Sequence, residues 1–158
     1  MFIPTQVRPS QFGNGIFTTA PVPKGTVVCF FSLGGQVITE DQFLKEVQNN
    51  NPEIIRTATR YVGRYFVHGQ PDADHNFVNH SFTPNCLCHC GIVLARRNIA
   101  TGEELTVDYR TLIDATDIGT WRDATTNRQI KGYPAKETLL RTARELIEII
   151  ESIPDWTG

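Results

Sequence analysis

The segment Asn79 to Cys90, NHSFTPNCLCHC, carries three of the chain's four cysteines on alternate residues, with a histidine between the last two. Thiolates and imidazoles are the common ligands of zinc, so a metal centre is the first chemistry to weigh. The spacing argues against it. Residues i and i+2 of an extended strand share a face and stand about 6.5–7 Å apart. Two adjacent thiolates at that distance cannot share one zinc through bonds of about 2.3 Å unless the strand bends. Cys86, Cys88 and Cys90 therefore read as small apolar residues on the inner face of a strand, with His89 on the opposite, wetter face. No metal is expected.

The first half of the segment holds different chemistry. Asn79-His80-Ser81, followed by Pro84-Asn85, is a run of small polar residues that in isolation would make only a turn. A second run, GEELTVDY (Gly102 to Tyr109), brings carboxylates to a strand that ends on a tyrosine. A tyrosine there normally packs with its hydroxyl at the rim. The third is Gly13-Asn14-Gly15, a turn signal of the kind that lets backbone approach a neighbour closely.

Several elements must position these groups. Gly13-Asn14-Gly15 leads into the strand-like Ile16 to Thr19. Pro23-Lys24-Gly25 turns into Thr26 to Phe31, TVVCFF, with strong β character. Gly34-Gly35 reads as a hairpin turn before Gln36-Val37-Ile38. Thr39 and Gln42 form a capping box ahead of Phe43, Leu44 and Val47, which predicts a short helix ending near Asn49-Asn50-Asn51. Arg60 to Val67 alternates as a strand, and HGQPDADHN is loop. Cys86 to Ile99 predicts two strands broken near Gly91, and Glu104 to Tyr109 another. Residues 110–134 are polar and irregular. Ala135 to Ile153 is an amphipathic helix with Leu139, Leu140, Ala143, Leu146, Ile147 and Ile150 at helical spacing. The fold class is α+β, mostly β, built of many short strands. Residues 1–110 form the core, and 111–158 add a C-terminal segment and helix to the same domain.

Bulk composition excludes other classes. The 158 residues have ordinary apolar and charged content and a formal net charge of -2, so no basic footprint points to nucleic acid or an anionic membrane. No window approaches the length of a membrane span. The start, MFIPTQVRPSQF, lacks the features of a signal peptide, and reduced thiols suit a cytoplasmic setting, or a nuclear one in a eukaryote.

Taken together and in order, GNGIF, FVNHSFTPNC and ARRNIATGEELTVDY resemble the SET domain of protein lysine methyltransferases. The resemblance is strong over residues 76–110, moderate over 12–32 and loose elsewhere. It implies a β-clip fold with a pseudoknot-like active site. It also implies S-adenosyl-L-methionine as cofactor and methyl transfer to the ε-amine of a lysine in a protein substrate, basic or histone-like. By the same resemblance Gly13, Asn14, Gly15, Asn79 and His80 contact the cofactor, and Tyr109 is the catalytic tyrosine. Trp121 and Tyr133 are the candidates to pack on its adenine, each weighed against plain core packing. Tyr61, Tyr65 and Val107 are candidates for the substrate channel, and the number of methyl groups added is left open.

The chain departs from many relatives at the zinc site. Phe82 stands where they carry a cysteine after the Asn-His-Ser triplet, and no cysteine follows Tyr109. Channel closure would fall to residues 110–134 and the last helix, and RQIKGY (Arg128 to Tyr133) marks where packing replaces the metal. Glu103, Glu104 and Asp108, with Asp72 and Asp74, would make the site acidic and attractive to a basic peptide. Two other readings stand beside this one: a SET-fold binding module without turnover, and a methyltransferase of a non-protein nucleophile. The final helix also offers a homodimer interface.

Overall fold

A computed structural model describes residues 1–11, 13–31, 34–113 and 121–154. Gly13, held at φ +102°, opens β2 (Gly13–Thr18), which pairs antiparallel with β1 (Thr5–Ser10). Only glycine takes that φ without strain. The Gly-x-Gly residues thus lie within a strand rather than forming the turn. The partner β1 is hidden in the sequence because Pro9 interrupts its alternation, as an edge strand tolerates.

The main core sheet has the order β3 (Val27–Phe30), β9 (Ile92–Ala95), β8 (Cys86–His89), all antiparallel. Cys29, Cys86 and Cys88 lie in its core with Ile16, Val28 and Val93. Burial pushes the Cys29 and Cys86 thiols up to about 12, and Cys88 higher still, so all three stay protonated and behave as apolar groups. Two details differ from the sequence reading. Cys90 leaves the strand at φ +48° and forms the turn with Gly91. The opposite face of β8 is covered: α3 (Ala135–Glu151) packs on it, and His89 Nδ1 lies 2.8 Å from Thr142 Oγ1.

Helical spacing locates α3, but not its buried face. Thr142 and Ile149 are the buried residues, and Leu139, Leu140 and Ile147 remain exposed. Thr142 is tolerated inside because its hydroxyl donates to Thr138 O at 2.9 Å. Arg96 of the β9 end pairs with Glu145 and fixes the helix on the sheet.

A second sheet has the order β4 (Gln36–Thr39), β6 (Tyr65–His68), β5 (Thr59–Val62). Gly34-Gly35 therefore links two sheets instead of closing a hairpin. The single strand expected over residues 60–67 is a hairpin, turned at Gly63 with φ +56°. Beside this sheet, α1 (Glu40–Gln48) begins with the expected capping box, Thr39 and Gln42 bonding reciprocally. Asn51 caps α2 (Pro52–Thr57), with Pro52 in the first turn. Phe43 and Phe66 stack at 4.3 Å in the core between them, with Ile38 and Ile54.

Two short strands, β7 (Asn79–His80) and β10 (Thr106–Val107), pair in parallel and join the two polar motifs. The strand expected over 104–109 is shortened to these two residues plus a bridge from Glu104 to Phe17. Tyr109 opens a 3₁₀ turn ending at Thr111. Of the closing segment at 110–134, residues 114–120 lie outside the described residues.

Candidate active site

Asn85 ties the two motifs together. Its buried side chain donates to Glu104 O at 2.8 Å and accepts from the Thr106 amide at 2.9 Å. Ser81 N adds a bond to Val107 O at 3.0 Å. Backbone groups that would otherwise be orphaned are thereby paired, and Asn79 and His80 are held beside the strand that delivers Tyr109.

The Asn79 amide nitrogen donates to Glu104 Oε1 at 2.7 Å and to Asn14 O at 3.1 Å. Both donor hydrogens are committed, which leaves Oδ1 as the group without a partner among the described residues. Glu104 also accepts from Ser10 Oγ at 2.9 Å. A Cβ on Gly15 would lie 2.2 Å from Glu104 Oε1, so the second glycine is needed to make room for this carboxylate.

The Tyr109 amide donates to His80 Nδ1 at 3.1 Å, which puts the imidazole proton on Nε2. Nε2 is buried and makes no hydrogen bond among the described residues. The ring meets Phe82 edge to face at 4.6 Å. Burial holds the His80 pKa below its usual value, although Asp108 lies 4.0 Å away. His75 and His89 are lowered by burial as well. Below an unfolded pKa of about 6.5, the unfolded chain takes up these protons first, so stability rises with pH across that window. Thermal melts should therefore show a falling midpoint from about pH 7 to pH 5. Glu103 and Asp123, held low by hydrogen bonds, act only further down, below about pH 4. A midpoint that stays flat between pH 7 and 5 would contradict the lowered pKa of the three rings.

The Tyr109 hydroxyl donates to Val78 O at 2.8 Å. Burial, with the nearby Glu104 charge, pushes the phenol up to about 12, so it keeps its proton and cannot serve as a base. Trp121 stands edge to face against its ring at 6.2 Å. Beside the ring is a cavity of about 170 Å³, walled by apolar side chains such as Phe31, Ile55, Val78, Leu112 and Trp121 and also by the polar Arg56, Thr59, His75 and Asn76. The apolar part of such a wall disfavours a charged amine and lowers its pKa.

Gly13, Asn14, Gly15, Asn79, His80 and Tyr109 are thus brought together, with Trp121 at the edge. Other candidates lie elsewhere. Tyr61 and Tyr65 are 46% and 52% exposed on the β5–β6 hairpin, because Arg60 and Phe66 take the inward positions. Val107 is fully buried in the core and does not line the cavity. Tyr133 is held between the guanidinium groups of Arg110 and Arg141, on the side toward α3. The helix itself contributes no residue to the cavity wall among the described residues.

The acidic field is also largely spent inside the molecule. Glu103 pairs with Arg97 at 2.7 Å, and Asp108 with Arg110 at 2.6 Å. Where many relatives carry the zinc cysteine, the Phe82 ring is covered by Arg128 at 4.4 Å and Arg110 at 5.0 Å. Arg128 belongs to the RQIKGY segment, so packing does connect these two places. Ser10 and Asn85 escape the sequence reading as organising residues. The fixed distance from Asn85 to the Asn-His pair is the available signal for the second, and Ser10 has none.

Whether these residues fit S-adenosyl-L-methionine is a question of donor set. An exposed Gly13-Asn14 backbone, the free Oδ1 of Asn79 and a carboxylate behind it offer oxygen to a cationic ligand. They fit. The SET domain family model matches residues 13–110. Histone-lysine N-methyltransferase ash1 of Drosophila melanogaster is 32% identical over 111 residues, covering 61% of this chain and 5% of that protein. Histone-lysine N-methyltransferase, H3 lysine-36 specific, of Mycosarcoma maydis is 30% identical over 120 residues, covering 65% of this chain and 12% of that protein. The chain spans only a small part of either relative. By the family match over more than half its length, and by the site built from the same motifs, the chain belongs to the SET-domain family.

Proposed function

We propose that the chain is an S-adenosyl-L-methionine-dependent protein-lysine N-methyltransferase. The observation that carries the reading is the parallel pairing of β7 with β10, which sets Asn79 and His80 beside Tyr109 and against the Gly13–Gly15 strand. The cofactor, when bound, supplies a methyl group on a sulfonium. The Gly13–Gly15 backbone and Asn79 Oδ1 would hold it, and His80 fixes the Tyr109 backbone. The Tyr109 hydroxyl, anchored on Val78 O, turns its lone pairs toward the reacting groups and orients them. The apolar part of the cavity wall, with the Arg56 cation on the same wall, favours the neutral amine of the incoming lysine, whose lone pair the displacement needs. The lysine sheds its proton to solvent before transfer, since Tyr109 keeps its own.

The relatives' names suggest histone-like lysines as the substrate class. The paired carboxylates around the site remove the argument for a strongly basic target. Calorimetric titration with S-adenosyl-L-methionine, followed by mass spectrometry of a lysate incubated with protein and cofactor, tests the reading. Cofactor binding and new methyl-lysine are expected. Failure to bind the cofactor sinks the proposal, and binding without new methyl-lysine points to a module without turnover.

A further inference from the structure

Glu104 differs from the other carboxylates around the site. Glu103, Asp108, Glu40 and Glu145 each have an arginine partner. The Glu104 carboxylate accepts only from neutral donors, Ser10 Oγ and Asn79 Nδ2, and no cation pairs with it among the described residues. It is half-buried, and a Cβ at position 15 would meet its Oε1 at 2.2 Å, so its present place depends on Gly15. A carboxylate held in place by neutral donors alone keeps its charge available to a cationic ligand.

We infer that Glu104 is a specificity-determining residue, a counter-charge behind Asn79 and Gly15 that makes the site prefer a cationic sulfonium ligand over the neutral thioether left after transfer. The inference rests on the methyltransferase reading above. It deepens that reading by giving the site a means of releasing product. Methyl transfer breaks the carbon–sulfur bond, its electron pair staying on sulfur, and forms a carbon–nitrogen bond from the amine lone pair. Positive charge moves from sulfur to nitrogen, so the sulfonium's share of the attraction to Glu104 is lost, while the α-ammonium common to both ligands keeps its own. One such charge, acting through an effective dielectric of about 20, is worth on the order of tenfold in relative affinity.

Calorimetric affinities for S-adenosyl-L-methionine and S-adenosylhomocysteine should be measured on the wild type, Glu104→Gln and Glu104→Asp. Wild type is expected to prefer the sulfonium by about tenfold, the ratio that one partly screened charge sustains. Glu104→Gln should bring the two affinities within about twofold of each other, while Glu104→Asp keeps the preference with both weakened. A purely structural residue would weaken both ligands by one factor, so an unchanged ratio in Glu104→Gln overturns the inference. Should that variant not fold, wild type still decides: the analogue with an ammonium in place of the sulfonium must also outbind the thioether. Equal binding of all three ligands to wild type overturns the inference while leaving the methyltransferase reading intact. Wild type that binds none of them fails at the earlier step, the cofactor itself.

Discussion

Tyr109→Phe is expected to cut methyl-lysine formation at least about tenfold, a barrier increase of about 1.4 kcal/mol or more, with cofactor affinity changed by less than about threefold. The substitution removes one oxygen. The ring would keep its contacts with Trp121 at 6.2 Å and His80 at 5.4 Å, so the cavity wall stays in place. In the proposed reaction, what disappears is the dipole that would orient the reacting groups. Val78 O would lose its partner, at a cost of about 1–3 kcal/mol in stability, so thermal melts must accompany the assay. The assay is mass spectrometry of a lysate labelled by each protein under identical conditions. Equal labelling by both removes Tyr109 from the mechanism.

The second large effect is expected at Gly15. In Gly15→Ala the new methyl would sit 2.2 Å from Glu104 Oε1 and 3.0 Å from Ser10 Cβ. Ser10 cannot yield easily, because β1 is paired with β2 along its whole length. The carboxylate must swing away, breaking its bonds to Ser10 and Asn79 and freeing the Asn79 amide to rotate. Loss of two charge-assisted hydrogen bonds should destabilise the protein by about 2–4 kcal/mol. Cofactor binding should weaken at least about tenfold, because Asn79 no longer presents its oxygen in a fixed direction. The double mutant Gly15→Ala/Glu104→Ala distinguishes this from generic strand damage. With no carboxylate to displace, alanine at 15 should cost less than about 1 kcal/mol beyond Glu104→Ala alone, a large coupling by the usual standard for touching residues. Additive costs in that cycle would place the role of Gly15 elsewhere.

Legibility in the sequence follows the range of the interactions. The capping box at Thr39 and Gln42 is readable because both halves lie three residues apart. The two strands around Gly91 are readable because alternation and a glycine turn are local signals. The hairpin at Gly63 escapes because a short alternating run reads the same whether or not it folds back on itself. For α3, periodicity marks a helix but points to Leu139, Leu140 and Ile147. The buried stripe depends on where β8 meets it, and it runs through Thr142 and Ile149.

The sequence by itself determined the chemistry available: three motifs in order, Gly13 to Gly15, Asn79 with His80, and Tyr109. Those are properties of residue type and spacing, and no folding is needed to see them. Only the tertiary structure decided what each residue does with its neighbours. Bonds spanning 94 residues from Ser10 and 25 from Asn79 converge on Glu104, which ties the Asn79 side chain to β1. Packing around Arg60 and Phe66 sent Tyr61 and Tyr65 outward, and the core took Val107. Of the cysteines of NHSFTPNCLCHC, Cys86 and Cys88 lie in the core as their alternation predicts, while Cys90 turns the chain with Gly91. Burial on both faces of one strand, which no local pattern encodes, keeps the Cys86 and Cys88 thiols protonated.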